Sequence, residues 1–124
     1  MIIATALSAA LIGAVSAQNA LDRLGQRLGF DVGDASVAEC SSETRAALAL
    51  TERTPDLFCF EGDEPGVQAF SDQLQAALAD NEFKMTVAEG PAADYWRGDV
   101  KVRFAVSPIP ERSHWVVLAH VEAG

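Results

Sequence analysis

The stretch from residue 83 to residue 122 constrains the fold most, because its apolar residues recur at every second position. Val100, Val102, Phe104 and Val106 share one face of a candidate strand, with Asp99, Lys101, Arg103 and Ser107 on the other. Trp115, Val117, Ala119 and Val121 alternate with His114, Val116, Leu118, His120 and Glu122, and Phe83, Met85 and Val87 alternate with Glu82, Lys84 and Thr86. A period of two places successive side chains on opposite faces of a strand. A slip of one residue would turn every apolar side chain outward, so the register is strongly specified. Joining the apolar faces predicts Val106 opposite Trp115 and Phe104 opposite Val117 in the last two strands. The same argument pairs Val87 with Val100 and Met85 with Val102 in the first two.

A helix precedes these strands. Asp63-Glu64-Pro65 is a helix start, with acids at the positive end of the dipole and Pro in the first turn. Val67, Phe70, Leu74, Ala77 and Leu78 follow as its apolar stripe, and Asp80-Asn81 marks its end. Leu57 to Glu61 reads as a strand with Cys59 at its centre. The order strand, helix, three strands predicts a right-handed parallel crossover followed by an antiparallel meander.

Upstream, Leu21, Leu24 and Leu28 repeat at helical spacing, and Gly29-Phe30 is a left-handed stop with a trailing apolar contact. After a loop at Gly33, Asp34 and Ser36, Ser42 is a candidate N-cap for a helix from Glu43 to Arg53, ended by Thr54-Pro55. The expected fold class is α+β: two short N-terminal helices, then β-α-β-β-β, with a four-stranded mixed sheet packed on one helix.

Residues 1–17, Met1 to Ala17, form an uncharged apolar run ending in Val15-Ser16-Ala17, the pattern of a signal peptide cleaved before Gln18. The run falls short of the roughly 20 residues a bilayer core requires. The expectation is a single domain over residues 18–124, in the periplasm or outside the cell, with no membrane span after signal removal. In an exported chain, Cys40 and Cys59 read as a disulfide. Closing that loop would stabilise the domain by about 3 kcal/mol.

Nine basic residues against 18 acidic ones give a net charge of −9, with only two lysines. Nucleic-acid binding needs clustered cations to displace counterions, so that class of partner is excluded. Both lysines nevertheless fall on one predicted sheet face, where Lys84, Lys101, Arg103 and His120 form a candidate anion-binding surface. Glu82, Asp99 and Glu122 lie on that face as well, so cross-strand ion pairing is the plainer reading.

The segment from Gly90 to Gly98 reads as a loop carrying Tyr95, Trp96 and Arg97, residue types that anchor interfaces. The Pro108 to Ser113 hairpin reads as a stiff, protruding tip. His114 and His120 are six residues apart on a strand, about 20 Å, too far to share one metal ion. No nucleophile elbow, phosphate loop or cofactor motif is present, and no catalytic, metal or cofactor residue is expected.

The run from Leu57 to Val121, with Ala93-Asp94-Tyr95 as a strand opening, resembles the small α+β domains of bacterial envelope assembly proteins. That resemblance implies an envelope-associated role and transfers no functional residue. The leading expectation is a small exported, non-catalytic interaction domain with a protein partner. The alternative is a module that binds a small organic anion or acts as an inhibitor through the basic face. A small hydrolase is the third reading.

Overall fold

A computed structural model describes residues 18–33, 37–50, 56–90, 92–110 and 112–123. The proposed signal peptide, Asp34 and Ser36 of the loop, and Thr51 to Pro55 lie outside the described residues. The class is α+β. Helix α1 occupies residues 18–28, and strand β1 (Ala38–Glu39) leads into α2 (Ser42–Ala47). Then come β2 (Leu57–Gly62), α3 (Glu64–Asp80), β3 (Lys84–Glu89), β4 (Ala92–Arg97), β5 (Val100–Pro108) and β6 (Trp115–Ala123).

The sheet has six strands in the order β1-β2-β6-β5-β4-β3, and every neighbouring pair is antiparallel. This corrects the four-stranded mixed sheet expected from the sequence. The Gly90 to Gly98 segment is the strand β4, not a loop, and it inserts between β3 and β5. Val87 therefore pairs with Asp94, and Met85 with Tyr95, instead of with Val100 and Val102. Strands β2 and β3 run in the same direction, as a crossover through a helix demands, but β6, β5 and β4 lie between them.

Strands β5 and β6 pair two residues away from the expected register, with Val106 opposite Val117 and Phe104 opposite Ala119. A shift of two preserves the faces: Val102, Phe104, Val117, Ala119 and Val121 are all buried together. The reason for the shift is at the tip. β5 continues through Pro108, which pairs with Trp115, and a tight turn closes on the Ile109 N–H donating to the His114 carbonyl at 2.8 Å.

The main core lies between this sheet face and two helices. Val67, Phe70, Leu74 and Leu78 of α3 and Leu21, Leu24 and Leu28 of α1 are each at most 1% exposed, and Phe58 and Phe60 of β2 meet them. The N-cap of α3 is Asp63, whose carboxylate accepts from the Gly66 N–H at 2.8 Å.

All three described helices end in the same way, on a residue of positive φ followed by an apolar one. Gly29 (φ 89°), Ala49 (φ 56°) and Glu82 (φ 68°) are followed by Phe30, Leu50 and Phe83. The N–H groups of those apolar residues reach back to the carbonyls of Gly25, Arg45 and Leu78 at 3.1, 2.9 and 2.9 Å. This is the Schellman closure, which satisfies helix carbonyls that would otherwise be orphaned. It also ends α2 at Ala47, well before the Arg53 expected from the sequence.

A second, smaller core lies on the other sheet face. The disulfide joins Cys40 to Cys59 with Cα atoms 5.3 Å apart. Around it pack Ile109 and Val116, with Leu48, Leu50 and Leu118 partly buried. Ile109 is 1% exposed and anchors the turn to this second core, while Pro108, Pro110, Arg112 and Ser113 around it are exposed. Val116 and Leu118 do serve as a landing site for early structure, but only for α2 and its following turn, since α1 packs in the main core.

Candidate functional site on the open half of the sheet

The second core covers one half of that sheet face and leaves the other half without a helix over it among the described residues. Antiparallel register arranges the open half in two transverse rows. One runs Lys84, Trp96, Lys101, Glu122, and the other brings Asp94, Arg103 and His120 side by side. Lys84, Lys101, Arg103 and His120 thus share this face, although Lys84 is exposed at the β3 edge and belongs to the row without Arg103.

Arg103 and Lys101 already have anions. Arg103 holds Asp94 bidentately, Nε to Oδ1 at 2.8 Å and Nη2 to Oδ2 at 3.1 Å, the strong geometry for a guanidinium and a carboxylate. The Lys101 ammonium stands 3.9 Å from Asp94, 3.8 Å from Glu122 and 5.6 Å from the centre of the Trp96 ring. His120 Nδ1 lies 3.5 Å from Glu122. The Arg103 hydrogen bond holds the Asp94 carboxyl below the usual carboxylate range; partial burial pushes the other way, and the Arg103 and Lys101 charges reinforce the lowering.

Asp94 was missed as a member of this face, because its segment reads as a loop in sequence. Two residues expected there are elsewhere. Glu82 is the left-handed residue after α3, and Asp99 sits in the β4–β5 turn. The signal that would have found β4 is Gly98-Asp99, a two-residue hairpin dipeptide between Arg97 and Val100.

The Tyr95, Trp96 and Arg97 trio does not form one surface. Tyr95 points into the main core and is 7% exposed, whereas Trp96 on the opposite face is 41% exposed. Arg97 returns to the helix side. Its guanidinium donates to the Leu28 carbonyl at 2.6 Å and the Asn81 carbonyl at 3.1 Å, and stands 4.6 Å from the centre of the Phe83 ring. It therefore closes the C-terminal ends of α1 and α3, where a cation meets the negative end of each dipole.

A further polar cluster stands at the start of α2. Buried Thr44 donates to the Glu61 carboxylate and accepts from the Ser41 hydroxyl and from Arg112, each of these at 3.2 Å. Glu61 also accepts the Ser41 N–H at 3.1 Å. The hydroxyls answer one another and a carboxylate, and these bonds fasten α2 to β2.

Among the described residues no helix is long and apolar enough to cross a membrane. Compared with protein-family models, curated proteins and solved structures, the chain finds no match.

Proposed function

We propose that this chain is an exported, non-catalytic interaction domain that meets a protein partner through the open half of its sheet, with Trp96 as the anchor. The observation that carries this reading is the setting of Trp96. It is a large apolar side chain left 41% exposed on a flat sheet face, with Lys84 and Lys101 beside it in its row. An exposed tryptophan bordered by polar side chains matches the aromatic centre and polar rim of an interface. The disulfide supports an oxidising compartment, in keeping with a removable signal over residues 1–17.

The organic-anion reading draws less support from the same face. The guanidinium fork of Arg103 is engaged by Asp94, and the Lys101 ammonium lies between two carboxylates. An incoming anion would have to displace them.

The test is affinity capture from an envelope extract with the wild-type domain and Trp96→Ala, the fold of each confirmed by circular dichroism. A specific partner retained by the wild type and lost by the variant supports the reading. Identical captured sets would sink it.

A further inference from the structure

On the helix side of the sheet, a groove of about 270 Å3 opens between α3 and strands β4, β5 and β6. Ser71 and Gln75 of α3 form one wall, and Ala93, Tyr95, Phe104 and Trp115 form much of the other. Met85, 57% exposed on the edge strand, stands at its mouth. None of its described lining residues is charged, although this protein carries a charged residue at 22% of its positions.

Two hydroxyl groups in the groove have hydrogens to give. Tyr95 is 93% buried, being 7% exposed, and makes no hydrogen bond to any described residue. No side-chain nitrogen or oxygen among the described residues is both sealed from solvent and unpaired, so the Tyr95 oxygen reaches solvent, and Tyr95 is one of the residues lining the groove. Ser71, 2% exposed, accepts from Gln75 Nε2 at 3.0 Å, and its own hydroxyl hydrogen reaches no acceptor among the described residues. Both hydroxyls line a narrow groove, where an acceptor on a ligand can take the place of water as their partner.

We infer that this groove binds a small neutral molecule with a flat apolar body and a carbonyl-type acceptor, which takes the hydrogen bonds of Tyr95 and Ser71. At about 270 Å3 the groove falls just under the roughly 300 Å3 at which drug-sized pockets begin, which limits the body to about two fused rings. The described lining selects a neutral ligand over a carboxylate or an ammonium, neither of which would find a counterion among those residues. The site lies on the face opposite Trp96 and does not depend on the proposed partner surface.

A suitable probe is 6-propionyl-2-(dimethylamino)naphthalene, a neutral fluorophore with a ketone whose emission shifts blue in apolar surroundings. Titration into the full chain is expected to give one saturable site. Tyr95→Phe, which keeps the ring and removes the donor, is expected to weaken binding by about 3- to 10-fold. Ala93→Leu, which fills the groove, is expected to abolish it, and Trp96→Ala is expected to leave it unchanged. Absence of saturable binding to the wild type overturns the inference, as does equal affinity in Tyr95→Phe. Tyr95→Phe decides alone if Ala93→Leu fails to fold. Equal affinity for the anionic 1-anilinonaphthalene-8-sulfonate overturns the assignment of a neutral ligand.

Discussion

The guanidinium of Arg97 donates to the backbone carbonyl of Leu28, 69 residues away in the chain, at 2.6 Å. The same group reaches Asn81, so one side chain holds together the ends of two helices that sequence alone would not bring into contact. The contact is reinforced by the residues that follow those helices, Phe30 and Phe83, whose rings meet edge to face at 5.9 Å.

Arg97→Met keeps the apolar stem and removes both charge-assisted hydrogen bonds. It is expected to lower unfolding free energy by about 2 to 3 kcal/mol, read as a fall in the urea midpoint at constant slope. Arg97→Lys is expected to recover only part of this, since an ammonium lacks the planar fork. A neutral result for Arg97→Met would show that the helix ends need no tie.

The end of α2 is closed by an alanine in the left-handed region, a conformation that costs an L residue roughly 1 to 2 kcal/mol. Ala49→Gly removes that strain at some cost in chain entropy, and is expected to raise stability by about 0.5 to 1 kcal/mol. The converse change is Gly29→Ala, where an added Cβ would sit 2.8 Å from Arg97 Nη2 as well as at positive φ. It is expected to destabilise, and a thermal melt of both variants checks the opposite signs.

Asp94 has its folded pKa depressed, chiefly by the Arg103 hydrogen bond. Its contribution is therefore complete above the unfolded carboxylate pKa and is lost as pH falls through the folded one. Asp94→Asn is expected to be less stable than the wild type at pH 7. The gap is expected to narrow as pH falls below the unfolded carboxylate pKa and to close as it passes the depressed folded one. Unfolding curves at several pH values read this directly, and a gap independent of pH would remove the ion pair as its cause.

The alternation in β5 and β6 was legible because both strands bury the middle of one face, so Phe104 and Val117 had only one side to go to. The start of α3 was legible for a local reason, the Asp63 cap with Pro65 in the first turn. Strand β4 was not legible because its two faces reverse the usual rule. Trp96 goes outward to lie beside Lys101, and Arg97 goes inward because its guanidinium finds carbonyls at two helix ends. Neither destination is written within the segment. The bulge between Met85 and Val87 and the left-handed Ala49 are likewise set by the surroundings, and no glycine announces them. For the candidate site, the shared face of Lys101, Arg103 and His120 followed from strand parity. Their partner Asp94 did not, since its place depends on the strand that was missed.

The two edges of the sheet have a consequence for how the molecule behaves in company. An open strand edge is a template for another chain, and a flat, long, greasy one invites fibres. One edge here is the two-residue β1, fastened through the adjoining disulfide, and is too short to guide a newcomer. The other edge, β3, is kinked by an extra residue and opens with Lys84. Crowding many copies together thus offers no straight border along which one sheet could grow into the next.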